Sequence, residues 1–394
     1  MQLDPNYALA FSNRGNALRQ LGRLDEALQS YQRAISLKAN YAEALCNQAI
    51  ALTGAGRWEE ACTSAEQAIN ARPDYADAWQ AHANALQALG RVVEALNSYN
   101  RAIAINAGSG ELHCARGTAL YRLKQYDAAL DCYARAIELR PDHPLAYQYR
   151  GNTLRALGRD GEAIEAYREA LALGGDREQI EFALAALGEG SVPAASPAGY
   201  VKALFDQYAE HFDQHLVEQL DYRTPAIIEA AIARQHMTDA DTLDLGCGTG
   251  LCAPFLRTVS RRLEGVDLSD KMLAKARERG LYDRLEVADI GDYLADSAGR
   301  YDLIVAADVF VYIGDLTAVF DCVRNALRAQ GHFCFSVERG DGNFTLTSAN
   351  RYTHSLDYVR HLAVGFDILD VSEHALRRER GEDVRGFALM LKKG

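Results

Sequence analysis

Leu243-Asp244-Leu245-Gly246-Cys247-Gly248-Thr249-Gly250 decides the fold of the second half of this 394-residue chain. A short apolar run beginning at Thr242 ends in three alternate glycines. Such a pattern predicts a strand that enters a tight turn, because glycine is favoured where φ is positive or another group approaches the backbone closely. Further runs at 262–266, 285–287, 303–306 and 332–337 read as strands, with helical patterns such as 271–279 and 316–329 between them. Runs at 366–372 and 386–391 close the series, and two helical stretches, 200–220 and 224–235, precede it. The alternation predicts an α/β Rossmann-like domain, doubly wound, on a mostly parallel seven-stranded sheet.

Ligands of such sheets bind beyond the carboxyl ends of the strands, near the point where strand order reverses. Gly246, Gly248 and Gly250 sit there, and a cofactor's polar end can reach their backbone amides. Asp267 ends the second strand, 17 residues after Gly250, where a carboxylate can accept both ribose hydroxyls of an adenosine. Asp289 follows the third strand and can accept from an adenine amino group, with Ile290 donating its amide to the ring. Leu268 and Met272 can cover the adenine faces. Asp308 ends the fourth strand, nearest the expected reactive group. The rival reading is a dinucleotide site of spacing G-x-G-x-x-G, but Leu251 stands in the third glycine's place. A cofactor lacking a pyrophosphate accounts for this better.

With LDLGCGTG at 243–250, VDLSDKML at 266–273, ADI at 288–290 and YDLIVAADVFVYI at 301–313, residues 200–394 resemble the class I S-adenosylmethionine-dependent methyltransferases. The resemblance implies that Gly246, Gly248 and Gly250 pass near the methionine portion and that Asp244 steadies that side. It implies the ribose for Asp267 and the adenine amine for Asp289. Residues 205–213, Phe-Asp-Gln-Tyr-Ala-Glu-His-Phe-Asp, resemble a helix that folds over the cofactor, with Tyr208 and Phe212 on one face, in contact with it or simply packed.

The methyl acceptor is less legible. The Asn-Pro-Pro-aromatic signature of amide and exocyclic-amine methylation is absent, since Asp308-Val309-Phe310-Val311 stands there. No Pro-Cys nucleophile is present either. Tyr352 and His354 read as pocket residues, His354 as either a base or a loop residue with a structural hydrogen bond. Glu338 and Arg339 are further candidates, and no catalytic residue is assigned. Because the donor is already activated, alignment alone can suffice.

Upstream, residues 188–199 (GEGSVPAASPAG) read as a flexible or extended connector, preceded by an amphipathic helix at 176–187 that caps what comes before. The first half is periodic. Ala27, Ala61, Ala95, Ala129 and Ala163 recur every 34 residues, and so do Ala34, Ala68, Ala102, Ala136 and Ala170. Tyr31, Tyr99, Tyr133 and Tyr167 share a phase, with Ala65 in the empty slot; Gly22, Gly56, Gly90 and Gly158 share another, with Lys124 as the exception. Pro5, Pro73 and Pro141 mark unit edges. Each unit predicts a helical hairpin whose first helix stops at the glycine and whose alanines admit close approach, with Phe11, Leu45, Trp79 or Tyr147 filling the gap. Residues 5–174 thus resemble five tetratricopeptide repeats, an all-α superhelical array.

The fourth unit departs from the pattern at Ala107-Gly108-Ser109-Gly110 and His113, and is expected to be looser there. Met1 to Tyr7 reads like the tail of an earlier repeat, so further repeats are expected upstream. The resemblance implies a protein or peptide partner in the groove, where Asn16, Asn84 and Asn152 either bond an extended backbone or serve as solvated polar positions. The expected domains are therefore 1–187, a linker at 188–199, and 200–394.

Composition narrows the classes. A net charge of −12 gives no help toward a phosphate backbone, so nucleic acid is not expected as a partner. Eight cysteines without a Cys-x-x-Cys pair argue against a metal site and read as reduced thiols, hence a cytoplasmic protein. No run suits a bilayer, and no membrane is expected. Two readings of function stand: a methyltransferase whose repeats recruit a protein, or a scaffold whose second half binds the cofactor without turnover.

Overall fold

The computed structural model describes residues 7–209, 212–216, 220–379 and 381–394. Pro5 and the start of the chain, with the repeat tail expected there, lie outside the described residues, as do Glu210 and His211 of the expected cofactor helix. The chain divides into two compact units, the first ending at Ile180 and the second being Glu181–Gly394.

The first unit holds five helical hairpins. They are Ala8–Gln20 with Leu24–Leu37, Ala42–Gly54 with Trp58–Ala71, Ala76–Ala88 with Val92–Ile105, Gly110–Arg122 with Tyr126–Leu139, and Pro144–Ala156 with Asp160–Ala172. Both alanine columns are completely buried, as close helix packing requires. Tyr31, Tyr99, Tyr133 and Tyr167 are buried too, and the rings of Tyr31, Tyr133 and Tyr167 each lie over a glycine one helix earlier. A Cβ added to Gly15, Gly117 or Gly151 would come within 2.5, 2.6 or 2.7 Å of the ring of Tyr31, Tyr133 or Tyr167. The turn glycines are left-handed, with φ from +72° to +77°, and Lys124 adopts φ +59° at the same place. In the first hairpin Gly22 N–H donates to Arg19 O and Arg23 N–H to Leu18 O, a Schellman closure of the helix end. The departing fourth unit is helical from Gly110, with Ser109 capping through Leu112 N–H at 3.3 Å.

Among its described residues the second unit has nine strands: β1 Ala240–Leu245, β2 Ser260–Asp267, β3 Arg284–Val287, β4 Tyr301–Ala306, β5 Leu327–Glu338, β6 Phe344–Leu346, β7 Tyr352–His354, β8 Phe366–Glu379 and β9 Glu382–Lys393. Seven of them form one sheet in the order β3-β2-β1-β4-β5-β9-β8. The first five in that order pair in parallel, and β9 pairs antiparallel with both β5 and β8. Alternation divides the strands between two layers. Ile304, Ala306, Phe333, Phe335, Leu389 and Leu391 face one core with the helices Ile290–Ala295, Thr317–Ala326 and Leu356–Leu362. Leu303, Val305, Cys334 and Met390 face the other, with Thr224–Ala233 and Ala253–Val259. Burial on both faces is why these runs read as continuously apolar.

Three local expectations differ from the structure. The helix expected over 200–220 ends at Tyr208 in Ala198–Tyr208, with a short turn at Phe212–Gln214. The helix expected over 316–329 spans Thr317–Ala326, because Leu327 onward joins β5 beside Tyr301. The small hairpin β6–β7 has no counterpart in the sequence reading. Among the described residues no helix is long and apolar enough to cross a membrane.

Candidate functional site

Strand order reverses between β1 and β4, and a cavity of about 380 Å³ opens beyond their carboxyl ends. Of the residues singled out in the sequence, Asp244, Gly246, Gly248, Asp267, Leu268, Asp289, Ile290 and Asp308 line it. Gly250 and Met272 do not. Met272 is fully buried, and Gly250 (φ +82°) lies against Tyr282 and Arg279, where an added Cβ would approach to 3.0 and 3.2 Å.

Each carboxylate is held differently. Asp267 accepts from Gly248 N–H at 2.9 Å and Ser269 N–H at 2.8 Å, so the end of β2 fastens the glycine loop. Burial raises its pKa while those amides pull it down. Asp244 is buried beneath the loop and accepts from the Tyr282 hydroxyl at 2.6 Å. Burial pushes its pKa up to about 7 against that hydrogen bond. Asp289 caps the helix Ile290–Ala295 through Gly291 N–H at 2.8 Å, with one oxygen toward that role.

Asp308 has φ +55°, a left-handed conformation uncommon for a side-chain-bearing residue. Its N–H donates to Ser336 Oγ at 2.9 Å, and Ser336 Oγ donates back to its carboxylate at 2.9 Å. Thr224 Oγ1 donates at 3.3 Å, and the Arg377 guanidinium lies 3.7 Å away. Burial raises the Asp308 pKa, and Arg377 opposes the rise. Arg377, only 2% exposed, also binds Glu338 and, at 2.7 Å, Glu379. Burial pushes the Glu338 pKa up to about 7.

Phe212 lines the cavity and Tyr208 does not; their rings meet edge to face at 6.2 Å, and the Tyr208 hydroxyl pairs with His215 at 2.8 Å. Asp213 bonds both Thr249 and Arg279, tying this turn to the glycine loop. Tyr352, His354, Glu338 and Arg339 do not line the cavity. The Tyr352 hydroxyl donates to Pro193 O at 2.8 Å. His354 is fully buried against Gly314 O at 3.0 Å, and burial pushes its pKa down to about 4. Arg339 pairs on the surface with Glu373.

Sequence reasoning missed Tyr222, Tyr312, Arg351 and Arg377 in the cavity wall, and Tyr282 beneath it. It also gave the connector, read as flexible or extended, no part in the site. Ala194 and Ser196 are bonded to the turn after β4: Gly314 N–H donates to Ala194 O at 2.8 Å and Ser196 N–H to Tyr312 O at 2.9 Å. Ala194, Ala195 and Ser196 therefore form part of the cavity wall.

Residues 216–377 match the family model of a methyltransferase domain. Residues 15–53 match a TPR repeat model, and 46–110 and 114–178 match a tetratricopeptide repeat model. The chain carries tetratricopeptide repeats followed by a methyltransferase domain. Within it, 93 residues are 38% identical to human methyltransferase-like protein 27, covering 22% of this chain and 37% of the relative. A stretch of 102 residues is 33% identical to the Streptomyces fradiae dTDP-3-amino-3,6-dideoxy-alpha-D-glucopyranose N,N-dimethyltransferase, covering 26% and 38%. The chain thus spans under two-fifths of the length of either curated relative. Among solved structures, a thermophilic TPR protein of Thermus thermophilus is 23% identical with a TM-score of 0.41, covering 46% of this chain and 98% of that one. YrrB, described as a TPR protein with an unusual peptide-binding site, is 24% identical with a TM-score of 0.38, covering 46% and 93%. The strap at 194–196 and the helix Ala198–Tyr208 precede the residues matched by the methyltransferase model, yet both contribute to the cavity of the methyltransferase domain.

Proposed function

We propose that the methyltransferase domain uses S-adenosylmethionine as its methyl donor. The observation that carries this reading is the charge of the cavity wall, where Asp244, Asp267, Asp289, Asp308 and Asp315 face Arg351 and Arg377. Both arginines are already engaged by Glu338 and Glu379. An acidic wall suits a cationic sulfonium and opposes the pyrophosphate of a dinucleotide. Phe205, Phe212, Tyr222 and Tyr312 add aromatic surface to the same wall, which also favours a cation.

The glycine loop supplies a fit on its own terms. Gly246 has φ +66°, and an added Cβ there would come 2.6 Å from Val309, so only glycine keeps the backbone at that place. Gly248 carries its amide to Asp267, and the nearest atom to an added Cβ is 4.0 Å away on Phe212. In this reading Gly246 and Gly248 border the methionine portion, Asp267 takes the ribose hydroxyls, and Asp289 and Ile290 take the adenine edge, with Leu268 against its face. A bound sulfonium would supply an already activated methyl group. The chain then has to orient the acceptor, exclude water and receive any proton released. The repeats hold a protein or peptide partner in this reading.

Titration calorimetry of the full chain with S-adenosylmethionine tests the donor. Binding is expected, weakened about 10–100-fold by Asp267→Ala, the scale for losing hydrogen bonds to a charged group. Absence of binding, or an unchanged affinity in the variant, overturns the reading. Binding of NADH in its place supports a dehydrogenase. For the repeats, labelled donor added to lysate compares the full chain with residues 181–394. Equal labelling of the same acceptors removes recruitment from the account.

A further inference from the structure

We propose that Asp308 receives the proton released by the methyl acceptor, so that the reacting atom of the acceptor is a nitrogen or oxygen bearing a hydrogen. The proposal rests on the donor reading above and extends it to the other end of the same cavity.

Four observations carry it. Asp308 lines the cavity at the strand-order reversal, two residues beyond the end of β4. The backbone there is left-handed, at a cost that surrounding structure must hold in place, and such outliers gather at functional sites. The residue is clamped in that state by its reciprocal bonds with Ser336 on β5. Finally, its carboxylate is not fully supplied with donors. Ser336 Oγ, at 2.9 Å, and Thr224 Oγ1, at 3.3 Å, occupy two of the roughly four lone-pair sites a carboxylate offers. Arg377, at 3.7 Å, adds charge without a hydrogen bond. Acceptor capacity therefore remains, on a carboxylate whose residue lines the cavity.

The transfer balances without a further reactant. A bond forms between the methyl carbon and the acceptor nitrogen or oxygen, and the carbon–sulfur bond breaks with its electron pair kept on sulfur. The acceptor's N–H or O–H proton passes to Asp308, which becomes the neutral acid. Arg377 and Ser336 act as positioning residues: one favours the ionised form beforehand, and the other fixes its direction. The groups that face Asp308 are Arg377 of β8, Glu338 of β5, Tyr222 and Thr224 before and within the helix Thr224–Ala233, Cys252, and Tyr312.

Asp308→Asn tests this in the full chain, since asparagine tolerates the left-handed region and keeps the shape. The first measurement needs no acceptor. In protein with carboxyl-¹³C aspartate, the resonance missing from Asp308→Asn identifies Asp308, and it should be ionised at pH 8. A carboxyl still protonated there overturns the proposal. The second uses labelled S-adenosylmethionine and a panel of small primary amines and alcohols, each paired with its fully substituted tertiary amine or ether. Transfer is expected only to members bearing N–H or O–H, and at saturating donor it should fall about 10²–10⁴-fold in Asp308→Asn. Its rate should drop as pH falls through the Asp308 ionisation, with that limb missing from the variant and displaced upward by Ser336→Ala. Transfer to a tertiary amine, transfer at wild-type rate by Asp308→Asn, or no transfer to any member while the donor still binds each overturns the proposal. A wild-type chain that binds no donor defeats the donor reading instead.

Discussion

Lys124 occupies a place where four of the five repeats have glycine. Gly22, Gly56, Gly90 and Gly158 adopt φ +73°, +74°, +77° and +72°, and Lys124 adopts +59°. The closing bonds are the same. Lys124 N–H donates to Tyr121 O at 2.9 Å and Gln125 N–H to Leu120 O at 3.0 Å, as Gly90 and Arg91 do to Gln87 and Leu86. A residue with a Cβ gives up roughly 1–2 kcal/mol in that conformation. The greater freedom of glycine in the unfolded chain returns about 0.5–1 kcal/mol. Lys124→Gly should therefore stabilise the array by about 0.5–1 kcal/mol. The reverse change, Gly90→Ala, should destabilise it by a similar amount, and a Cβ there meets nothing within 4 Å, so packing does not confuse the result. Both tryptophans, Trp58 and Trp79, lie in the repeats, so urea unfolding followed by tryptophan fluorescence reports this unit alone. With a slope of about 1–3 kcal/mol per molar urea, the midpoint should move by roughly 0.2–1 M in opposite directions. A Lys124→Gly midpoint that is unchanged or lowered, alongside a lowered Gly90→Ala midpoint, would refute the conformational argument.

Two further outcomes follow from buried polar groups. Asn152→Ala removes the acceptor of the buried Tyr167 hydroxyl, a bond of 2.7 Å. It should cost about 1–2 kcal/mol in the same urea assay with no partner present, and an unchanged midpoint would return Asn152 to a purely surface role. His354 is neutral in the folded chain, because burial drives its pKa down to about 4 from the ordinary 6.5. The unfolded chain takes up a proton there as pH falls below about 6.5. The His354 contribution is thus complete above that pH and declines toward pH 4, by roughly 3 kcal/mol in all. Thermal midpoints of wild type and His354→Gln compared at pH 7.5 and 5 check this. Equal acid sensitivity in the two chains would remove His354 as a cause.

Periodicity was legible wherever one physical demand repeats. The alanine columns mark helix contacts that recur every 34 residues, and the strand runs mark burial on both faces of a sheet. Single occurrences were harder. Arg377 reaches Asp308 only because β8 pairs with β9 and β9 with β5, a register that no local spacing encodes. Tyr282 lies 38 residues from the Asp244 carboxylate it binds, and nothing in its neighbours distinguishes it from a packing tyrosine. The connector's place in the site was hidden for a different reason. Gly, Ser and Pro describe a segment without regular structure, which is compatible with free motion and equally with the fixed strap of Ala194 and Ser196. Asn16, Asn84 and Asn152 showed their period but not their direction. All three accept from tyrosines of their own hairpins, at 2.7, 2.6 and 2.7 Å, a commitment that no one-dimensional pattern reveals.

The glycine loop carries the same lesson inside one motif. Gly246, Gly248 and Gly250 are equivalent in the sequence, and all three have positive φ. Their surroundings differ. Gly246 is held small by Val309 after β4, and Gly250 by Tyr282 and Arg279, which also engage Asp244 and the Thr249 carbonyl. Gly248 has open space and an amide committed to Asp267. Two of the glycines therefore answer to packing, and of the two that line the cavity only Gly248 has little against it. It follows that Gly250 supports the site from behind, through the same Tyr282 that holds Asp244 beneath the loop.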